Sequence, residues 1–481
     1  MLVHCNRWIL ISSAVYLAVM ATNALNFWRS ASFTIGGICA VILIVAGWLG
    51  RSERVPSPGR WLLWSFAAWC AWSTASIAWS VRPEYSATQW RGEILWTVVV
   101  VAMIYVAVRD ARAWRILLAS TLGSFGVVAT VAVVLQLSPW GWDPGRWHFG
   151  VGPWTTYLVL IAPLLLTLLL PPPTGLARDA RAYVAAIVLL VLALATARVT
   201  DNRMVWIALG TSIVLIGVLG TLRWRNGSSL APLRWLLPLA LLLVITVAAL
   251  FTDTAREKAE TFFPPDTTIA QTLAEDPRIG LWERMAEHIR ARPLTGYGFG
   301  RAILAPELKS ELHDPLLWHA HNMFGSQWLQ TGAVGLALFI SMLLALAVRY
   351  MRFFRARDDT LAITGLIGIA LLAGFVMKNL TDDFLFHLNA KHFFALNALL
   401  VGWGVRRERE ILAARARDDQ RLRGARSGSG AASVSAPAGG PAGMGCTGAP
   451  AGGEYSGIHE RSRARTSASS AMRSRSHQAI I

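Results

Sequence analysis

Apolar stretches of spanning length recur along the first four hundred or so residues, each able to cross a hydrocarbon core about 30 Å thick, and no other feature limits the fold as much. Inside lipid a backbone must satisfy its own hydrogen bonds, so such runs become helices. The pattern predicts spans at 8–25, 35–49, 61–79, 94–108, 116–137, 154–170, 183–197, 204–222, 235–251, 332–348, 361–377 and 393–403. That is about twelve, an even number, which puts both termini on one side. Composition agrees, since 54% of residues are hydrophobic and only 15% are charged. The expected fold is an all-α integral membrane protein occupying 1–405.

The arginines orient it, because basic residues in short loops stay cytoplasmic. Even-numbered connections carry Arg51, Arg54 and Arg60; Arg109, Arg112 and Arg115; Arg178 and Arg181; Arg223, Arg225 and Arg234; and Arg349, Arg352, Arg355 and Arg357. Odd-numbered connections hold Trp, Pro, Gly and acid instead, which places them outside and both termini in the cytoplasm. The first apolar run is read as a retained anchor, because "ATNALNFW" after it makes a poor cleavage site. A formal charge of +17 is spread over inner loops and a tail, so anionic lipid accounts for it and nucleic acid is not required. Of the four cysteines, Cys39 and Cys70 fall in spans, and Cys5 and Cys446 on the inner side, so no outer disulfide pair is available.

Two regions break the rhythm. A connection from about 252 to 330, between the ninth and tenth spans, is far longer than an ordinary turn and belongs outside. Within it Leu281, Met285 and Ile289 recur at helical intervals before Pro293 and a run of glycines. The second region, 406–481, starts as a charged helical extension and becomes Gly/Ala/Pro/Ser-rich, a composition expected to be disordered, with arginines near inner-leaflet phosphates.

Polar residues at membrane depth are costly and usually face a cavity. Here they gather on the outer side: Arg198, Asp201 and Arg203; Arg278 and Arg284; His319 and His321; and Lys378, Asp382, Asp383, His387 and Lys391. Two histidines one residue apart share a face on a strand but diverge by about 200° on a helix. No HExxH, cysteine pair or paired-acid motif accompanies them, so no metal site is expected. On spacing alone, His321 and Asn322 could equally cap a helix beginning near Met323. Arginine forks suit phosphate oxygens, and an imidazole beside them suits proton transfer near neutral pH, a combination that fits sugar transfer from a lipid diphosphate without metal or cofactor. Taken singly, Arg203 reads as an interfacial anchor and Arg278 as a solvated helix face.

These residues resemble the bacterial O-antigen ligases, polytopic enzymes of one superfamily with the O-antigen polymerases. The family's histidine signature is similar to His321-Asn322, nine residues, Gly332, two residues and Gly335. "TDNRMVW" resembles the family's segment at the head of a membrane helix and places Arg203 at its arginine, with Asn202 and Met204 departing from the usual serine and glycine. "RIGLWERMAEHIRARPLTGYGFG" resembles a second segment, with Arg278 at the arginine and Gly296, Gly298 and Gly300 in a turn.

The resemblance implies a GT-C-like membrane glycosyltransferase joining O-antigen from undecaprenyl diphosphate to lipid A–core oligosaccharide. His321 would act as base, Arg203 and Arg278 would hold the diphosphate, Asn322 would orient His321, and Gly332 and Gly335 would bring two helices close. His319, Tyr297, Arg301 and Lys378 are further candidates for substrate contact. Alternatives are an O-antigen polymerase, a protein O-oligosaccharyltransferase, and a lipid-linked glycan transporter; the last would favour charges at mid-membrane rather than at span ends.

Overall fold

A computed structural model describes residues 1–169, 180–200, 202–225, 277–313 and 317–431. Every regular element among them is a helix. Eight helical segments are long and apolar enough to cross a membrane, so the protein is a polytopic membrane protein. The predicted span at 235–251 and Asp201 lie outside the described residues.

The first half supplies α1 (Leu2–Val19), α2 (Asn26–Trp48), α3 (Arg60–Ala75), α4 (Pro83–Trp90), α5 (Trp96–Ala107) and α6 (Ala111–Gln136). Helix α1 starts and stops about six residues before the predicted span. The Thr22 hydroxyl accepts from the Ala24 N–H, and the Asn23 N–H donates to the Trp147 carbonyl, so the chain turns there despite the apolar residues around it. Between α4 and α5 lies one π-helical turn, Arg91–Leu95. Then come α7 (Pro144–His148), α8 (Val151–Ile161), α9 (Leu166–Leu169), α10 (Ala180–Val199) and α11 (Arg203–Arg225). The apolar part of α10, Val184–Val199, is shorter than the other spans, and α3 is completed by a 3-10 turn, Ser76–Trp79.

The second half holds α12 (Pro277–Ala291) and α13 (Ala305–Leu312) in the long connection, then α14 (Met323–Phe354), α15 (Asp359–Lys378) and α16 (His387–Ala431). By contact the chain divides into Met1–Arg417 and Asp418–Ile481, the latter described only as far as Ala431.

Helices α14 and α15 pack closely because α15 presents Gly365 and Gly368. A Cβ on Gly365 would lie 2.3 Å from the Phe354 nitrogen and 2.4 Å from the Tyr350 carbonyl oxygen. Small residues that let backbones meet are a means of association in lipid, where apolar side chains gain little from leaving the solvent. Aromatic stacks extend the interior: Trp114 on Trp403 at 5.4 Å, and Phe375 on Phe393 at 4.2 Å. The Tyr350 hydroxyl donates to Asn397 Oδ1 at 2.6 Å, joining α14 to α16.

Helices α11 and α15 run antiparallel in a register that two contacts fix. Arg223 pairs with Asp359 at 3.3 Å, and the Ser212 hydroxyl donates to the Ala370 carbonyl at 3.0 Å. The same register brings Arg203 level with Asn379 at the opposite end. Ion pairs cluster at the Arg223 end, with Arg407 on Asp358 at 2.8 Å and Arg349 on Glu408 at 2.6 Å, where the loop arginines also sit.

Gly365→Ala is expected to force α14 and α15 apart and to cost about 1–3 kcal/mol by overpacking. The midpoint of thermal unfolding in detergent measures this, and an unchanged midpoint would show that the contact tolerates a methyl group.

Candidate functional site

Helix α14 is broken where the sequence signature has its first glycine. Gly332 adopts φ 68°, ψ −175° between two helical stretches, a left-hand-side conformation that suits glycine. The turn after α12 fits against the break. Tyr297 and Gly298 N–H groups donate to the Leu329 and Gln330 carbonyls, and the Ala333 N–H donates to the Pro293 carbonyl at 2.8 Å. A Cβ on Gly332 would lie 2.1 Å from the Leu294 carbonyl oxygen. So Gly332 does not bring two helices together, as the resemblance implied; it lets the Pro293–Gly300 turn dock backbone to backbone. Gly335 does face a helix, with Trp72 of α3 3.0 Å from where its Cβ would be, while Gly296 and Gly298 meet Gln330 and Ser80.

This docking carries the segment before α14 into place. Asn322 caps α14, its Oδ1 accepting from the Gly325 N–H at 2.9 Å, and its side-chain amide donates to the Leu380 carbonyl at 2.7 Å. The Met323 N–H donates to the Asn379 carbonyl at 3.0 Å. His321, just ahead, sits at φ 48° and belongs to neither helix nor strand. Its ring lies 3.8 Å from that of His319, and the Trp318 ring is tilted against His319 at 4.4 Å.

The tether puts the histidines opposite the turn that follows α15. His321 Nδ1 is 3.9 Å from Asp382 Oδ1, and the fully buried Lys378 ammonium is 3.5 Å from Asp382 Oδ2. Beside them Arg301 approaches Asp383 at 3.5 Å, its guanidinium held over Phe386 at 4.0 Å and Trp318 at 5.0 Å. Burial pushes the Asp383 carboxyl up, while Arg301 and a hydrogen bond from Ser326 pull it back. Burial, followed by Arg301 and His321, lowers His319 to about 2, and neither of its ring nitrogens has a hydrogen-bond partner among the described residues.

Of the remaining candidates, Tyr297 turns its hydroxyl to the His288 carbonyl at 3.1 Å, which ties the glycine turn to α12 rather than to the cluster. Arg203 stands exposed at the head of α11. Arg278 is the second residue of α12, and its side chain lies outside the described residues.

The sequence reading did not single out Glu93. The π turn between α4 and α5 carries this buried carboxyl, which accepts from the His387 N–H and lies within electrostatic reach of Asp383, Lys391 and Arg301. A lone acid opening an apolar span, "RGEILWTVVV", was the available signal.

His319, His321 and Asp382 present ligand atoms within 4.8 Å of one another, a spacing that could hold a metal ion. Lys378 already supplies a positive charge to that carboxylate. Arrangement and charge equally fit a histidine oriented through Nδ1 by an acid, leaving Nε2 for proton transfer.

Because His319 is held below its ordinary value of 6.5, its neutral form contributes stability above that pH and the contribution is lost as pH falls below it. Below pH 6.5 the native protein should therefore lose up to about 1.4 kcal/mol per pH unit through this group. His319→Gln should flatten that dependence in thermal unfolding measured from neutral to mildly acidic pH; equal slopes for the two proteins would remove the attribution.

Residues 185–340 match the family model described as O-antigen ligase, a segment holding Arg203, Arg278, Arg301, both histidines of the cluster, and the glycine turn. No curated protein matches the chain. The histidine signature and the glycine turn fall inside that match, so this third of the chain is similar to the O-antigen ligase family, within a polytopic helical fold.

Proposed function

We propose that the protein transfers O-antigen polysaccharide from undecaprenyl diphosphate to lipid A–core oligosaccharide, by inversion and without a metal ion, at the periplasmic face of the inner membrane. The observation that carries this reading is the approach of both His321 and Lys378 to Asp382 at the bundle end opposite the arginine-rich one. With Nδ1 turned to Asp382, His321 Nε2 takes the proton from an acceptor hydroxyl. The acceptor oxygen forms its bond to the anomeric carbon from the face opposite the diphosphate, the bond from that carbon to the diphosphate oxygen breaks, and its electron pair leaves with undecaprenyl diphosphate.

Arg203 and Arg278 offset the charge that grows on the leaving diphosphate. Arg203 is level with Asn379, next to the tether that holds His321, and Arg278 lies on the helix whose following turn docks at Gly332. Asn322 acts as the anchor of the histidine segment, and Arg301 with Asp383 supports the turn that presents Asp382.

The decisive test is reconstitution of purified protein with lipid-linked donor and lipid A–core acceptor. His321→Ala should abolish transfer, and His321→Asn should do the same while tolerating the left-handed backbone. Transfer by a well-folded His321→Asn protein would refute the base assignment. Arg278→Lys, which keeps charge but loses the planar fork, should fall by about tenfold or more if diphosphate is held bidentately. A chelator should leave the rate unchanged, and loss restored by divalent ion would assign the His319, His321 and Asp382 group to a metal. In a deletion strain, O-antigen missing from the core but retained as long chains on the carrier supports a ligase, whereas core bearing a single repeat would indicate a polymerase.

A further inference from the structure

Behind the turn that carries Asp382, a cavity of about 640 Å³ opens between α2, α5 and the start of α16, within the size range of small-molecule sites. Arg29 and Lys391 line it from different elements, and among the described residues no acidic side chain does. Arg29 is fixed by hydrogen bonds to the Thr22 carbonyl and the Asn26 side chain, and by Phe149, whose ring centre lies 5.4 Å away. Lys391 has Glu93 within electrostatic reach, whereas among the described residues Arg29 forms no ion pair with a carboxylate.

The rest of the lining divides by chemistry. Ser30 and Asn389 add polar groups near the cations, whereas Phe33, Trp96 and Pro153 form an apolar wall. The rim residues Thr34, Trp96 and Phe149 are exposed, and next to Thr34 the same helix exposes Ile35 and Ile38, as a lipid-facing span does. An opening on such a helix is accessible sideways from a bilayer.

We propose that this cavity is a second binding site, separate from the His321 cluster, that takes the phosphate group of a membrane lipid. Arg29 and Lys391 hold the phosphate oxygens, and the hydrocarbon portion leaves past Phe33 and Trp96 into the surrounding lipid. A free anion would use the cations but gain nothing from the apolar wall. The proposal goes beyond the transfer reaction and does not rest on it, although Phe386 and His387 border both regions.

Native mass spectrometry of the full chain in detergent tests this with three probes: dioctanoyl phosphatidic acid, dioctanoylglycerol and inorganic phosphate. The phosphatidic acid should bind, the uncharged glyceride should not, and inorganic phosphate should not displace the lipid at equal concentration. Combining Arg29→Gln with Lys391→Gln should weaken binding by about tenfold or more. Arg29→Lys should retain most of it. Thr34→Trp, which narrows the rim and leaves both cations in place, should also reduce binding and decides the matter if the double variant does not fold. His321→Ala should bind the lipid as the native protein does, so failure here is distinguishable from failure of the transfer mechanism. Unchanged affinity in the double variant or in Thr34→Trp would overturn the proposal, and so would displacement by inorganic phosphate, which would mark a free-anion site.

Discussion

Two hydrogen bonds hold the start of α14 to the end of α15, from the Asn322 amide to Leu380 and from the Met323 N–H to Asn379. Everything polar at this end of the bundle depends on that joint. It sets His321 on one side and Asp382 on the other, and neither residue lies within a helix. The joint is itself held from behind, because Asn379 accepts from the Phe384 N–H and donates to the Phe375 carbonyl, closing the turn that presents the acids. Rigid helices thus position polar groups borne on irregular backbone, an arrangement that holds loop side chains without giving them freedom.

The docked glycine turn extends the same logic to the long connection between α11 and α14. Its contacts to α14 are mostly backbone to backbone, supplemented by the Trp328 indole donating to the Pro293 carbonyl, while Trp79 after α3 donates to the Thr295 carbonyl of the same turn. Such bonds constrain position without demanding large apolar area, which a connection outside the lipid has little opportunity to bury. Behind the turn a small separate core forms from Leu281, Met285, Ile303 and Leu308, with Ile289 packed against it; Leu281, Met285 and Ile289 are the residues whose helical spacing was visible in the sequence.

Spans were legible because lipid imposes a length and composition that few other environments require, and most of the predicted runs fall inside observed helices. Their ends were less legible: α1 stops at a threonine turn set by a hydrogen bond to Trp147, far along the chain. The histidine signature singled out His321 but not the residues it meets. Asp382 meets His321 only after α14 and α15 have packed, and Glu93 reaches Arg301 and Asp383 from a helix more than two hundred residues away in sequence. Spacing rules describe neighbours on one element, so pairings made by tertiary closure escape them. Gly332 stood out in the sequence but not for the role found, since spacing alone does not distinguish a helix contact from a helix break.

The charges around the histidines cancel in pairs, Lys378 with Asp382 and Arg301 with Asp383. Neutrality lets the folded bundle enclose these groups without a substrate, since an unmatched ion there would carry a large desolvation penalty. The same balance has a cost for recognition: an arriving dianion finds no surplus positive potential inside the cluster. On the proposed function, attraction would come from cations standing outside it, such as Arg203, which is exposed at the head of its helix.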